Sequence, residues 1–142
     1  MLCNINQKSE GLLRAIKDNG CLFLCFAEVS PIAFIEAEGI KALNYLWEKA
    51  KNKGFIDSDN VIQNHNAIAD LFCLKVKYDD EHHDADEAIP SNVAFVFGQY
   101  FWKYGHFVVI NKSKEVEFDP LIISNSVKNG ALKSMRWYYY AD

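Results

Sequence analysis

The hydrophobic pattern of this chain changes period once, near residue 73, and that change limits the folds open to it. Up to Phe72 the apolar residues recur every three to four positions, as they do on one face of a helix. From Leu74 onward many of them alternate with polar residues, as in strands that turn one face toward a core. Helices followed by strands predict an α+β fold, in which the helices cover one face of an antiparallel sheet.

Helices are predicted in the first half at residues 10–19, 21–29, 39–53 and 64–72. Ser9 is expected to cap the first helix and Gly20 to end it. The second helix is apolar on every side except at Glu28, which is typical of a helix in the middle of a fold. That helix is therefore expected to be central.

Strands are predicted in the second half at residues 74–78, 93–97, 106–110, 115–119 and 134–140. The first of these carries Lys75 and Lys77, and lysines protect an exposed strand from pairing with another chain. We therefore expect it at an edge of the sheet. The acidic residues 79–87, which include His82 and His83, are expected to form a loop.

Composition excludes several classes of protein. A chain of 142 residues, half of them apolar, predicts a single domain over residues 1–142 with a sizeable core. A net charge of −4 without a basic stripe disfavours nucleic-acid binding. The longest apolar run, residues 21–27, is too short to span a bilayer, and the first residues do not resemble a secretory signal. Four irregularly spaced cysteines predict a cytoplasmic protein with reduced thiols.

A histidine and an aspartate are predicted to be neighbours across a hairpin. The polar turn at residues 111–114 joins two strands, and pairing Ile110 with Glu115 sets their register. That register places His106 opposite Asp119, where Cβ atoms are about 5 Å apart. The pair has two interpretations: a cross-strand salt bridge, or an imidazole that a carboxylate orients for catalysis.

A thiol at the start of the central helix adds a possible nucleophile. The reactive form of cysteine is the thiolate, which the N–H groups and dipole at a helix N-terminus favour. Cys21 follows Gly20 and opens the helix, so it is in that position, and its N–H is suited to an oxyanion hole. Cys25 lies one turn further and is expected to be a core residue. Cys3 and Cys73 have no pattern that pairs them with a base.

Three segments together resemble the papain-like cysteine peptidases. They are Asp18-Asn19-Gly20-Cys21, then Gly105-His106-Phe107-Val108-Val109, then Asp119-Pro120. The resemblance is to the short bacterial and phage branch related to bacteriocin-leader peptidases, whose members show Gly-His-Phe/Tyr-Val-Val on one strand and Asp-Pro at the end of the next. The chain is also similar to a family of this type carried by phages and spirochaete plasmids.

The resemblance implies a papain-like fold, with Cys21 on a central helix packed on an antiparallel sheet that carries His106 and Asp119. It implies a peptidase or amidase that works through a thioester. Cys21 is then the nucleophile, His106 the general base and acid, and Asp119 the residue that orients His106. Gln7 is the implied oxyanion donor, because such families often place a glutamine upstream of the cysteine. No metal or organic cofactor is implied.

Other functions remain open at the level of sequence. A papain-like binding module without turnover, such as a phage-encoded inhibitor of a host protein, fits the same features. In either case the expected partner is a peptide or protein, and neither nucleic acid nor membrane. The acidic residues 79–87 contain groups that suit a metal ion, but adjacent histidines point in alternate directions. A solvated acidic loop is the preferred interpretation of that segment.

Overall fold

The structure, a computed structural model, describes residues 1–141, which divide into two compact units, residues 1–74 and residues 75–141. The first unit holds four helices and a two-stranded parallel sheet. The second holds a five-stranded antiparallel sheet and one short helix. The predicted α+β class is confirmed.

All four helices predicted for the first half are present, and the central one has the predicted bounds. The elements of this unit are β1 (Leu2–Cys3), α1 (Arg14–Asn19), α2 (Cys21–Val29), β2 (Phe34–Ile35), α3 (Glu36–Asn52) and α4 (His65–Leu71). The parallel pair β1–β2 was not predicted, because strands of two residues are too short to show a period.

The predicted start of α1 is wrong: the helix begins at Arg14 and not after Ser9. The Ser9 hydroxyl accepts a hydrogen bond from the Asn6 N–H at 2.9 Å and so stabilises a turn instead. Gly11 has a φ of +91°, which no right-handed helix contains. The segment before α1 is therefore a loop.

Aromatic rings from three elements form the core of the first unit. The Phe23 ring on α2 meets the Trp47 ring of α3 edge-to-face at 5.1 Å between centroids, and the Phe72 ring after α4 at 5.0 Å. Phe34 completes the cluster against Phe72 at 5.8 Å. Neighbours surround α2 on several sides, which explains why its sequence is apolar nearly all round.

The sheet of the second unit has the strand order β3-β7-β4-β5-β6, with every neighbouring pair antiparallel. Its elements are β3 (Val76–His82), β4 (Val93–Phe101), β5 (Gly105–Ile110), β6 (Val116–Phe118), α5 (Asn125–Asn129) and β7 (Ala131–Tyr140). The edge position predicted for β3 is confirmed. The buried core cluster of this sheet consists of Val93, Val96, Val108, Ile110, Met135 and Trp137.

The prediction that residues 79–87 form a loop is wrong for the first four of them, because β3 continues to His82. A bulge between Tyr78 and Glu81 shifts the register and keeps the strand paired with β7. The Glu81 carboxylate then accepts from the Arg136 guanidinium at 3.1 Å. Bulges interrupt the alternation of residue types, which is why the pattern did not reveal this extension.

Residues 1–141 contain no helix with the length and apolar character that a membrane crossing needs.

We expect Phe23→Ala to lower the free energy of unfolding by about 3–5 kcal/mol, because the change leaves a cavity among rings that are fully buried. Urea denaturation followed by circular dichroism measures the loss. The matched control is Tyr45→Ala on α3, where the ring is 64% exposed and the expected change is within about 0.5 kcal/mol. Equal losses in the two variants would contradict this account of the core.

Candidate active site

His106 and Asp119 form a direct, buried pair. The His106 Nε2 atom lies 2.7 Å from the Asp119 Oδ1 atom, and the residues are only 3% and 8% exposed. The predicted proximity of these two side chains is confirmed. An ionised carboxylate can only accept, so Nε2 carries the shared proton and Nδ1 is the acceptor nitrogen when the ring is neutral.

The register predicted for the β5–β6 hairpin is wrong, although the two residues still meet. Val109 pairs with Phe118 and Ile110 pairs with Val116, so β6 is displaced by one or two positions from the prediction. One shift comes from the turn, where Lys114 has a left-handed φ of +65° and the Asn111 N–H bonds to the Glu115 carbonyl. The second is a bulge between the two observed pairs.

The two shifts together preserve the side of the sheet that each residue faces. A slip by one residue turns a side chain to the opposite face, and a second slip returns it. Continued past the end of β6, the observed register puts Asp119 opposite Val108, which is diagonal to His106. Diagonal neighbours on one face remain within reach of long side chains. The contact is therefore made from just beyond the end of β6, where Asp119 follows the last paired residue, and it is not a direct pair of the ladder.

Backbone N–H groups hold the Asp119 carboxylate in place. The Leu121 N–H donates to Oδ1 at 2.9 Å, and the Ser124 N–H donates to Oδ2 at 2.8 Å. Burial by itself raises the pKa of Asp119. The hydrogen bonds from the His106 ring, from the two backbone groups and from the Ser124 side chain outweigh burial and lower the pKa of Asp119 to about 2. The carboxylate is therefore ionised at neutral pH.

Sequence reasoning did not predict these two backbone donors. A backbone N–H carries no residue-type signal, but Ser124 does: it is the N-cap of α5, and its hydroxyl accepts from the Val127 N–H at 3.2 Å. A serine that precedes a short polar run is a recognisable helix start. That signal was available in the sequence and would have placed α5 after Asp119.

Cys21 is the first residue of α2, as predicted, and it is partly exposed. The N-cap is Gly20, which has no side chain to bond the first-turn N–H groups. A Cβ at Gly20 would lie 2.6 Å from the Ile16 carbonyl oxygen, so only glycine permits this tight junction of α1 with α2. The junction fixes a thiol beside the unpaired amides of a helix N-terminus.

Gln7 is buried, and its amide contacts the end of α1. Its Nε2 atom donates to the Lys17 carbonyl at 3.0 Å and lies 3.4 Å from the Ile16 carbonyl. These contacts support the segment that leads into Cys21. The role of Gln7 as an oxyanion donor stays a prediction.

The remaining candidate groups are placed as follows. Cys25 is fully buried, Cys73 is exposed, and all four cysteines are free thiols. The His82 ring stacks on the Trp137 ring at 3.5 Å and approaches carboxylates of Asp79 and Glu87 at 2.9 and 3.2 Å. Across residues 1–141, no three His, Cys, Asp or Glu residues form a group that could hold a metal ion.

We expect Asp119 to make stability depend on acid pH. Its pKa is about 2 in the folded protein and about 3.9 in an unfolded chain, so folding favours the ionised form. That contribution, about 2–3 kcal/mol, is complete above about pH 5 and is lost as pH falls toward 2. Urea unfolding of wild type and Asp119→Asn between pH 2 and 7 measures it.

The variant should be less stable than wild type at neutral pH, and the gap should close on acidification. The matched control is the exposed Asp59→Asn, whose difference from wild type should stay nearly constant with pH. A constant difference for Asp119→Asn as well would show that the carboxylate is not held as described.

Comparison with known protein families gives a match that covers nearly the whole chain. Residues 1–140 match the family described as "Protein of unknown function, DUF261". No curated protein and no solved structure matches the chain. A match of this extent includes Cys21, His106 and Asp119, and the chain therefore belongs to the DUF261 family.

Proposed function

We propose that this protein is a cysteine hydrolase of papain-like fold that cleaves amide bonds in peptides or proteins, with Cys21, His106 and Asp119 as its catalytic triad. The observation that carries the proposal is the buried 2.7 Å contact between His106 Nε2 and an Asp119 carboxylate that remains ionised. A carboxylate that holds one ring nitrogen of a histidine fixes the tautomer that a general base needs. A salt bridge on the protein surface would leave both side chains exposed to solvent, whereas this pair is buried.

In the proposed reaction, the Cys21 thiol proton moves to His106 Nδ1 as sulfur attacks the substrate carbonyl carbon. The tetrahedral intermediate collapses, the carbon–nitrogen bond breaks, and the amine departs with the proton from Nδ1. Water then attacks the thioester and gives one proton to Nδ1, which returns it to the departing sulfur. Asp119 stays ionised throughout, and it orients the ring and stabilises its positive charge.

The start of α2 supplies the electrostatic part of the proposal. The first N–H groups of a helix have no partner within it, and here no capping side chain competes for them. Such groups stabilise both a thiolate and the oxyanion that forms on the substrate. In this mechanism the Cys21 N–H is one oxyanion donor, and Gln7 is the candidate for the second. Free thiols fit a reducing compartment, so we place the protein in the cytoplasm.

A binding module without turnover is the second candidate, and one observation favours it. The Gln7 amide donates to carbonyls at the end of α1, so the residue implied as an oxyanion donor already has partners. Under this alternative the protein occupies a peptide or protein partner, and Cys21→Ala leaves its biological effect intact. Under the proposed function the same change abolishes it.

We expect iodoacetamide to label Cys21 at least about tenfold faster than Cys73 near pH 6, because in the proposed triad His106 takes the thiol proton as the sulfur reacts. Cys73 is exposed and serves as the reference within the same sample. Mass spectrometry of each cysteine gives the rates. His106→Ala should slow Cys21 labelling by about tenfold or more and leave Cys73 unchanged.

Two further variants keep this test decisive. His106→Gln retains a polar side chain should the alanine variant fail to fold, and circular dichroism verifies folding in both. Asp119→Asn should slow Cys21 labelling less than removal of the imidazole does, because it disturbs orientation only. Labelling of Cys21 at the rate of Cys73, insensitive to His106, would refute the catalytic proposal.

A further inference from the structure

The turn between β4 and β5 is built from unusual residues. Turns of this kind normally consist of Gly, Asn, Asp, Pro or Ser, which suit tight backbones and water. Here the residues are Phe101, Trp102, Lys103 and Tyr104, which we call the aromatic turn. Phe101 is 43% exposed, Trp102 is 38% exposed and Tyr104 is 52% exposed. Exposed apolar surface of this extent commonly marks an interaction site.

The backbone of the aromatic turn is held firmly by its neighbours. The Tyr104 carbonyl accepts from the Ser126 hydroxyl of α5 at 3.1 Å, and Ser126 is fully buried. Phe101 pairs with Gly105 on β5 and with Ala131 on β7. The rings are therefore exposed on a fixed support. A partner that docks here would lose little entropy to ordering the turn.

Positive charge surrounds these rings. The Lys103 Nζ atom lies 4.7 Å from the Trp102 ring centroid, and the Lys133 Nζ atom lies 4.7 Å from the Phe101 centroid. Lys128 on α5 is also exposed. Residues 98–105 and 120–134 contain these lysines and no Asp or Glu, although the chain as a whole has a net charge of −4. The exposed charges of these two segments are thus all positive, and the carboxylate of the neighbouring Asp119 is buried and bonded to His106.

Two isoleucines extend the apolar surface at the same end of the sheet. After β6, Asp119 contacts His106 near the start of β5, and Ser126 of α5 bonds to the Tyr104 carbonyl, so the loop between Asp119 and Ser126 runs to the end that carries the aromatic turn. In that loop Ile122 and Ile123 are 64% and 76% exposed. Ile122 has a φ of +73°, a strained conformation for a β-branched residue. The hydrogen bond from its N–H to the Asp119 carbonyl, at 2.8 Å, holds it there.

We infer that the aromatic turn, with Lys133 and the isoleucine pair Ile122–Ile123, is a docking surface for a polypeptide segment that is acidic and carries aliphatic or aromatic side chains. The ammonium groups complement carboxylates, and the exposed rings and isoleucines complement apolar side chains. Trp and Tyr are the residues that most often dominate binding energy at such surfaces.

A polypeptide fits this surface better than a nucleic acid does. Stacked bases would use the rings and lysines, but they gain nothing from exposed isoleucine side chains. A long polyanion would also meet the negative charge of the rest of the chain, whereas a short acidic segment meets only the local lysines. The local charge and the exposed isoleucines together therefore favour a peptide.

The surface lies at the end of the sheet where His106 meets Asp119, so it would select substrates for the proposed reaction. As a statement about substrate the inference rests on the proposed function. As a statement about binding it does not, because Cys21→Ala removes the nucleophile and leaves the surface intact. Failure of the Cys21→Ala variant to bind peptide would refute the docking surface. Slow labelling of Cys21 in wild type would refute the proposed function, so the two failures are distinguishable.

The test is selection of random dodecapeptides displayed on phage against immobilised Cys21→Ala protein. We expect the selected peptides to be enriched in Asp and Glu together with an apolar residue, relative to the unselected library. Fluorescence anisotropy with the most enriched peptide then gives affinities. Trp102→Ala combined with Tyr104→Ala should weaken binding by about tenfold or more. Lys103→Glu combined with Lys133→Glu should do the same and remove most of the salt dependence.

Matched controls lie on α3, away from the sheet in sequence. Tyr45→Ala removes an equally exposed ring, and Lys41→Glu reverses an exposed charge, so each should leave the affinity unchanged. Circular dichroism verifies that every variant is folded. Selection of basic peptides, failure to select any peptide, or equal binding by all variants would overturn the inference. Tighter binding of oligothymidylate or of phosphatidylglycerol vesicles through the same residues would also overturn it.

Discussion

The ionised carboxylate of Asp119 is the group on which this end of the sheet depends. It accepts from the His106 ring and from the N–H groups of Leu121 and Ser124, so a single side chain joins β5, the loop after β6 and the start of α5. These donors keep the group charged although it is buried, and a buried charge is tolerated only when it is bonded in this way. The same bonds order the loop that exposes Ile122 and Ile123.

A second constraint lies at the junction of α1 and α2. Gly20 belongs to both helices, as the C-cap of one and the N-cap of the other, and its hydrogen atom occupies space that a methyl group cannot. The tight junction leaves Cys21 at the first position of an uncapped helix. Both constraints thus hold a chemically useful side chain at the end of a regular element, where backbone N–H groups lie outside the regular hydrogen bonding of the element.

The hairpin shows how a correct contact can follow from a wrong register. The alternation of β5 was strong enough to place His106 on one face, but Lys114 in a left-handed conformation and a bulge in β6 each displaced the partner strand. Neither feature has a residue-type signal here, since Lys is uncommon with positive φ and the bulge contains no glycine. The two displacements together keep each side chain on the same side of the sheet, so His106 and Asp119 are still in contact. Ser9 shows the opposite case, in which a good capping residue bonds within a turn and the helix begins later.

What the sequence by itself determined is the order of elements, the bounds of α2, the edge position of β3 and the pairing of His106 with Asp119. Each of these predictions depends on the spacing of hydrophobic residues or on residues that are close together in the chain, and a sequence shows both directly. The tertiary structure alone decided the bulged register beside that pair, the low pKa of Asp119, the extension of β3 and the exposure of the aromatic turn. The extension of β3 and the exposure of the aromatic turn depend on pairing and packing between residues far apart in sequence. The pKa of Asp119 depends in part on backbone N–H groups two and five residues away, and a backbone group carries no residue-type signal.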